Sequence, residues 1–148
     1  MAKEFGVRSC LCYEVSDRNG QEAMEAAVAE NVRFGKTVKE ADPEDIELAA
    51  MFGLHASFTL SPATLDYVRT QNTDGLGYHI HVAEGISDEE DSIVKYGKRV
   101  VNRLYDEGIL GPTTITGHCI HIDADELSIL KKTDTMVVHN PESNMAMP

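Results

Sequence analysis

Apolar and polar positions along the chain follow two periods that take turns. Short runs rich in β-branched and aromatic residues predict strands at residues 7–13 (VRSCLCY), 49–55, 78–83 (YHIHVA), 114–118 and 135–139 (TMVVH). Between them, apolar residues recur at helical spacing: Met24, Ala27, Val28 and Val32, then Leu65 and Val68. Ile93, Val94, Val100, Val101, Leu104 and Tyr105 mark a third helix, stopped by Gly108, and Leu127 and Leu130 a fourth. Ser61-Pro62 opens the second helix with a serine N-cap and a proline in the first turn, and residues 72–77 form the turn after it. Ser87-Asp88-Glu89-Glu90 has the spacing of a capping box, and Asp123 with Glu126 repeats that logic. The acidic run from Asp88 to Asp91 is expected to be a solvated face that complements the helix dipole.

The predicted order is α/β, with five parallel strands and four intervening helices. Two architectures compete. A flavodoxin-like doubly wound sheet suits the 148-residue length and would make a self-contained ligand-binding domain. A (β/α)8 barrel suits the pattern but needs about 250 residues and eight units. The flavodoxin reading calls for a phosphate-binding or acidic cluster after the first strand. Residues 16–20 (SDRNG) are turn-like there but lack a glycine-rich phosphate loop.

Histidines discriminate further. His55, His79 and His81, His118 and His139 stand at or beside the ends of four successive predicted strands, where parallel α/β folds gather their chemistry. By strand parity His79, His81 and Ala83 share one face, opposite Tyr78, Ile80 and Val82. The same count puts Thr114, Thr116 and His118 on one face of the next strand, opposite Ile115 and Gly117. The apolar sets suit a helix-covered outer face and leave the histidines to an interior. His81-Val82-Ala83-Glu84 is the sharpest element: a neutral imidazole is a good zinc or iron ligand, and a carboxylate three residues on can handle a proton beside it. By itself an H-x-x-E run is equally a strand histidine with a loop glutamate.

Taken together, GVRSCLCYEVSDR, GLHASFTLS, H-I-H-V-A-E, T-G-H-C and HNPESNM resemble the amidohydrolase superfamily, in its aminohydrolase and chlorohydrolase branch. Guanine deaminase, adenosylhomocysteine deaminase and the triazine hydrolases belong to that branch, and the wording is most similar to SsnA-like aminohydrolases. The resemblance implies a partial (β/α)8 barrel covering strands three to seven, as a single domain over residues 1–148. It implies hydrolytic deamination of an amino-substituted heterocycle by a metal-bound hydroxide, with one zinc or iron ion in the complete protein. His81 matches the metal ligand, Glu84 the general acid/base, and His118 the histidine beside hydroxide and substrate. His55, Asn140, Ser143 and Asn144 match positions that line the substrate pocket. His79 is expected to be a packing or supporting group, and His121 a loop residue. The family's H-x-H pair after the first barrel strand, its eighth-strand aspartate and its flanking β-sandwich have no counterpart in this sequence. The competing reading is therefore a non-catalytic half-barrel that must pair with other segments.

Composition narrows the partners. Twenty-five acidic against 13 basic residues give a net charge of −12, which argues against nucleic acid and anionic membranes and leaves small molecules. No apolar run approaches the roughly 20 residues that span a bilayer, and MAKEFGVRS lacks the core of a secretory signal, so a cytoplasmic location is expected. Cys10, Cys12 and Cys119 read as reduced thiols, with the first two as small buried strand residues; a metal role for that Cys-x-Cys pair is the alternative. Open barrel edges would favour self-association or pairing with a missing segment.

Overall fold

A computed structural model describes residues 3–41 and 48–146. Its strands are β1 (Ser9–Leu11), β2 (Leu48–Ala50), β3 (Phe52–Ala56), β4 (Tyr78–Val82), β5 (Ile115–His118) and β6 (Met136–Val138). The helices are α1 (Gln21–Lys39), α2 (Pro62–Gln71), α3 (Ile86–Tyr96), α4 (Val100–Asp106), α5 (Ala124–Thr133) and α6 (Pro141–Ala146). All pairings are parallel, and β3, β4, β5 and β6 lie side by side in chain order. A doubly wound sheet reverses its order at a switch point. No such reversal occurs among the described strands, which removes the flavodoxin-like alternative.

The expected second strand is split into β2 and β3. β1 pairs with β2, and the chain beyond β1 rejoins the sheet through a bridge from Val15 to Leu54. A buried amide from α1 fills the break between. Asn31 Oδ1 accepts from the backbone N–H of Tyr13 (2.9 Å) and Gly53 (3.2 Å), and its Nδ2 donates to the carbonyls of Tyr13 (2.7 Å) and Ala27 (3.0 Å). Gly53 permits the close approach, since a Cβ there would stand 2.5 Å from the Tyr13 oxygen.

The outer face behaves as the apolar pattern predicts. Phe52, Leu54, Tyr78, Ile80 and Val82 are buried against Met24, Val28, Leu65, Val68, Val100, Val101 and Leu104. Truncating such a fully enclosed side chain costs about 2–5 kcal/mol. The Ser61 cap and the Asp123/Glu126 capping box both form. Asn72 closes its turn by bonding both the N–H and the carbonyl of Leu76.

Four local expectations fail for physical reasons. The third predicted helix is two helices, because Gly97 adopts φ +66° and ends α3 with its N–H on the Ile93 carbonyl. Val94 and Leu127 point to solvent. Cys10, in β1, and Cys12, just beyond it, are exposed and not buried. The capping box at Ser87 does not form: α3 starts two residues earlier, at Ile86 behind Gly85, with no side-chain cap. Its acids therefore turn inward, and Asp88 and Glu89 are 3 % and 1 % exposed.

Of these two acids, Glu89 belongs to a charged knot under the helices. Glu126, fully buried, accepts from Arg99 Nε (2.7 Å) and Val101 N–H (3.0 Å), while Glu89 Oε2 accepts from Val100 N–H (3.1 Å). Glu89 Oε1 lies 3.5 Å from Arg99 without a hydrogen bond. Burial, with Glu126 adding to it, pushes the Glu89 carboxyl up to about 7, and burial pushes Asp88 up to about 6. A carboxyl with a raised folded-state pKa keeps its proton longer in the native than in the unfolded chain, so its contribution to stability falls as pH rises from about 4.5 to 7. Glu89→Gln should therefore gain stability relative to wild type on going from pH 5 to pH 8, as read by urea unfolding at both values; parallel curves would contradict the burial argument.

Candidate active site

The C-terminal ends of β3 to β6 open on the face away from the helices, and the strand-end histidines meet there. His81 is the hub: its ring centroid lies 5.8 Å from those of His55 and His79 and 5.4 Å from that of His118. The parity read from the fourth strand holds, with Tyr78, Ile80 and Val82 buried and both histidines half-exposed on the other side.

The parity expected for the next strand is reversed. β5 pairs His79 with Ile115, Ile80 with Thr116 and His81 with Gly117, so Thr116 lies on the helix side and Gly117 beside the histidines. A Cβ at Gly117 would stand 3.3 Å from the His81 ring. His118 reaches the site because it leaves extended geometry, with φ +70° followed by +52° at Cys119. Left-handed non-glycine residues cost energy and gather where surrounding structure enforces them. Here the enforcing bonds run from Cys119 N–H to the Val82 carbonyl (2.9 Å) and from the Ile120 and His121 N–H groups to Ala83 (3.1 Å each).

Ala83 carries its own positive φ of +46°, and Asp88 holds it there. Asp88 Oδ2 accepts from Ala83 N–H (3.0 Å) and Oδ1 from Phe58 N–H (3.3 Å), so one buried carboxylate ties the end of β4 to the turn after β3. Glu84 is the next residue. Its Oε1 lies 3.5 Å from His118 Nε2 and accepts from Ser143 Oγ at 3.2 Å.

Pro141 opens α6, which carries Ser143 and Asn144 over this corner. Asn144 Oδ1 is 2.8 Å from His118 Nδ1, and its Nδ2 is 3.1 Å from His139 Nδ1. Asn140 Nδ2 lies 3.5 Å from both His118 nitrogens. Glu84, His118, Asn140, Ser143 and Asn144 are thus linked by close polar contacts, and His81 and His55 join them through ring contacts. His55 borders the same space from β3, in a pocket of about 130 Å³ also lined by His81, Glu84 and Asp88. A wider groove of about 730 Å³ runs past His118, His139 and Asn140.

Burial lowers the pKa of the His81 imidazole, with His118 and His55 reinforcing the shift and Glu84 and Glu14 opposing it. His55 and His79 are lowered chiefly by burial as well. Uncharged imidazoles are what a divalent metal requires. His121 is a loop residue whose carbonyl accepts from Arg99. Two site residues escaped the sequence reading. Glu14 follows the first strand as the histidines follow theirs, so the strand-end rule applied there would have found it. Asp88 was hidden because a helix-start acid looks the same whether it faces water or a backbone amide.

Sequential parallel strands and outer helices define a partial (β/α)8 barrel, with a histidine-carboxylate corner at the strand ends where such barrels gather their polar groups. Residues 1–147 match the Amidohydrolase family, and the chain belongs to it. It is 33 % identical over 143 residues to a 5'-deoxyadenosine deaminase of Methanosarcina acetivorans, covering 96 % of this chain and 33 % of that protein. It is 37 % identical over 127 residues to a 5-methylthioadenosine/S-adenosylhomocysteine deaminase of Desulfitobacterium hafniense, covering 83 % and 28 %. Among solved structures, a zinc-bound adenosine deaminase from Xanthomonas campestris superposes with a TM-score of 0.84 at 24 % identity, over 97 % of this chain and 32 % of that one. Guanine deaminase from E. coli gives 0.76 at 17 % identity, over 97 % and 35 %. The chain spans about a third of the length of the curated relatives it matches.

Two substitutions test how the corner is held. Asp88→Ala leaves the buried Ala83 N–H without its acceptor and should cost about 1–3 kcal/mol in urea unfolding. Gly117→Ala should displace the His81 ring, seen as a change in its side-chain NMR shifts while the rest of the spectrum is kept; an unmoved His81 would refute the contact.

Proposed function

We propose that this chain carries the proton-handling and substrate-facing part of a hydrolytic deaminase that acts on an amino-substituted heterocycle. The observation that carries the reading is Glu84, held at the mouth of β4 against His118 and Ser143, with the His81 ring beside them. The relatives named above, deaminases of adenosine-type compounds, supply the substrate class.

His81 suits a zinc or iron ion: its imidazole is held uncharged by burial, and among the described residues neither ring nitrogen has a hydrogen-bond partner. A divalent ion held there, with donors from outside this chain, supplies activation of water. Glu84 would take one proton from the attacking water and give it to the ring nitrogen of the substrate, then take the second from the hydroxyl formed on carbon and give it to the departing amino group as ammonia leaves. Hydrogen bonding from Ser143 to Oε1 keeps the carboxylate turned to the pocket. His118, anchored through Nδ1 by Asn144, keeps Nε2 toward Glu84 and the attacking water. His55, Asn140, Ser143 and Asn144 border the space left for the heterocycle.

In this reading residues 1–148 form a single partial-barrel domain of a cytoplasmic protein. Three cysteines without a disulfide among the described residues support a reducing compartment, and no described helix is long and apolar enough to cross a membrane. A second reading, a non-catalytic half that pairs with another polypeptide or copy, is favoured by β6, whose three residues are all exposed and whose outer edge has no strand partner among the described residues.

Ammonia release from 5'-deoxyadenosine and 5-methylthioadenosine separates the two, measured on the chain alone and with the complementary barrel segments supplied in trans. Activity should appear on complementation, and Glu84→Gln should lower it about 10²–10⁴-fold with metal content unchanged. An assembled, metal-loaded barrel that releases no ammonia from any aminopurine nucleoside would sink the deaminase reading.

A further inference from the structure

Strand order leaves one side of His81 without a task. His118, with Glu84 against it, stands on the β5 side. His55 stands on the β3 side, and Glu14 lies next to β3, since the following residue, Val15, bridges to Leu54. One carboxylate oxygen of Glu14 is within 4.8 Å of a ring nitrogen of His55 and of His81.

Hydrogen bonding gives this side a fixed polarity. Thr59 Oγ1 gives its single proton to the Ala56 carbonyl (3.0 Å), so toward His55 it acts as an acceptor. His55 Nδ1, 2.8 Å away, therefore carries the ring proton. Burial lowers the pKa of this imidazole against the pull of Glu14, so the ring is uncharged and Nε2 offers a bare lone pair. Glu14 Oε1 accepts from Arg18 Nη2 at 2.8 Å, and Arg18 Nε donates to Ser16 Oγ at 3.0 Å, which braces the carboxylate. Glu14 Oε2 and His55 Nε2 are thus both acceptors, and neither has a protein donor among the described residues. Hydrogen bonds of about 2.9 Å can reach both from one planar group placed between them. Phe58 supplies a flat apolar wall: it is 48 % exposed, and its ring stands 5.8 Å from that of His55 at 75°.

We propose that Glu14, together with His55, sets substrate specificity by selecting a heterocycle that carries an N–H donor besides the amino group it loses. The second donor is a ring N–H beside that amino group, or a second amino group. A ring with bare nitrogens at this edge sets lone pair against lone pair and leaves a carboxylate desolvated without a partner. An N9-substituted adenine, whose one N–H group is the amino it loses, therefore ranks below its 2-amino counterpart. The inference rests on the deaminase reading for taking the ring as substrate, while the recognition itself needs no turnover.

Binding is accordingly the test, read from the histidine ring signals in 1H–13C NMR of the full chain. Two matched rings are titrated: 2-amino-4-pyrimidinone, with a ring N–H beside its amino group, and 2-aminopyrimidine, whose ring nitrogens are both bare. Wild type should bind the first at least about tenfold more tightly, as a hydrogen bond to a charged acceptor provides, with shifts centred on His55. Glu14→Gln keeps an oxygen for Arg18 and turns an amide N–H2 to the site, so the ranking should fall to parity or invert. Glu14 is exposed, so this variant keeps the fold. Glu22→Gln, which removes the same charge from an exposed position on α1, should rank the rings as wild type does. The proposal is overturned if wild type binds the two rings alike, if it binds neither, or if Glu14→Gln keeps the wild-type ranking. An assembled barrel that releases no ammonia would remove the deaminase reading and leave this ranking standing, whereas a flat ranking would remove the role of Glu14 and leave that of Glu84.

Discussion

One buried carboxylate sets the geometry of the whole corner. Asp88 accepts the N–H of Ala83 and so holds that residue in a left-handed conformation that a non-glycine residue otherwise avoids. Because Ala83 is bent, its carbonyl faces the chain after β5 and takes two N–H groups from it. That in turn stabilises the reversal at His118 and Cys119. Glu84 and His118, which stand 3.5 Å apart, are therefore positioned by one connected set of backbone bonds. The carboxylate that does this is itself desolvated. Its raised pKa records an opposition between burial, which favours a proton, and two amide donors, which favour the charge.

The same economy appears beneath the helices. Glu126 is simultaneously the partner of Arg99, the acceptor for the first turn of α4 and the reciprocal member of the cap on α5. Glu89 shares that guanidinium imperfectly. Removing Arg99 would leave two buried carboxylates facing each other, a far larger penalty than the net worth of the pair. Stability and site geometry are thus coupled through acids that a simple charge count assigns to the surface.

These acids mark where sequence reading stops. The alternation of strands and helices was legible because apolar periods survive in every element, and the strand-end histidines because one residue type recurs at a topologically defined place. His118 was placed in the site, yet for a reason that parity had wrong: it arrives by a positive φ, which has no compositional trace at a non-glycine residue. Gly97 carried an ordinary helix-stop signal that was overridden by the apolar run on either side. Glu14 stands at a strand end as the histidines do, but it is one acid among 25 and not of the residue type whose recurrence drew attention to those ends. Asp88 and Glu89 sit in a run that reads equally well as a solvated helix start. What the sequence hides in each case is direction, since local pattern fixes which element a residue belongs to better than which way its side chain turns.

Asn31 has a consequence of a different kind. Its amide oxygen takes two donors and its amide nitrogen serves two carbonyls, so each hydrogen-bonding position is used with a fixed polarity. Aspartate has the same shape and lies a single nucleotide change away, but it would set an acceptor against the carbonyls of Tyr13 and Ala27. The shortest mutational path out of this position is therefore closed by electrostatics, although the residue touches no part of the site. Helix α1, remote from the chemistry, inherits a constraint on its evolution from the strand end it holds.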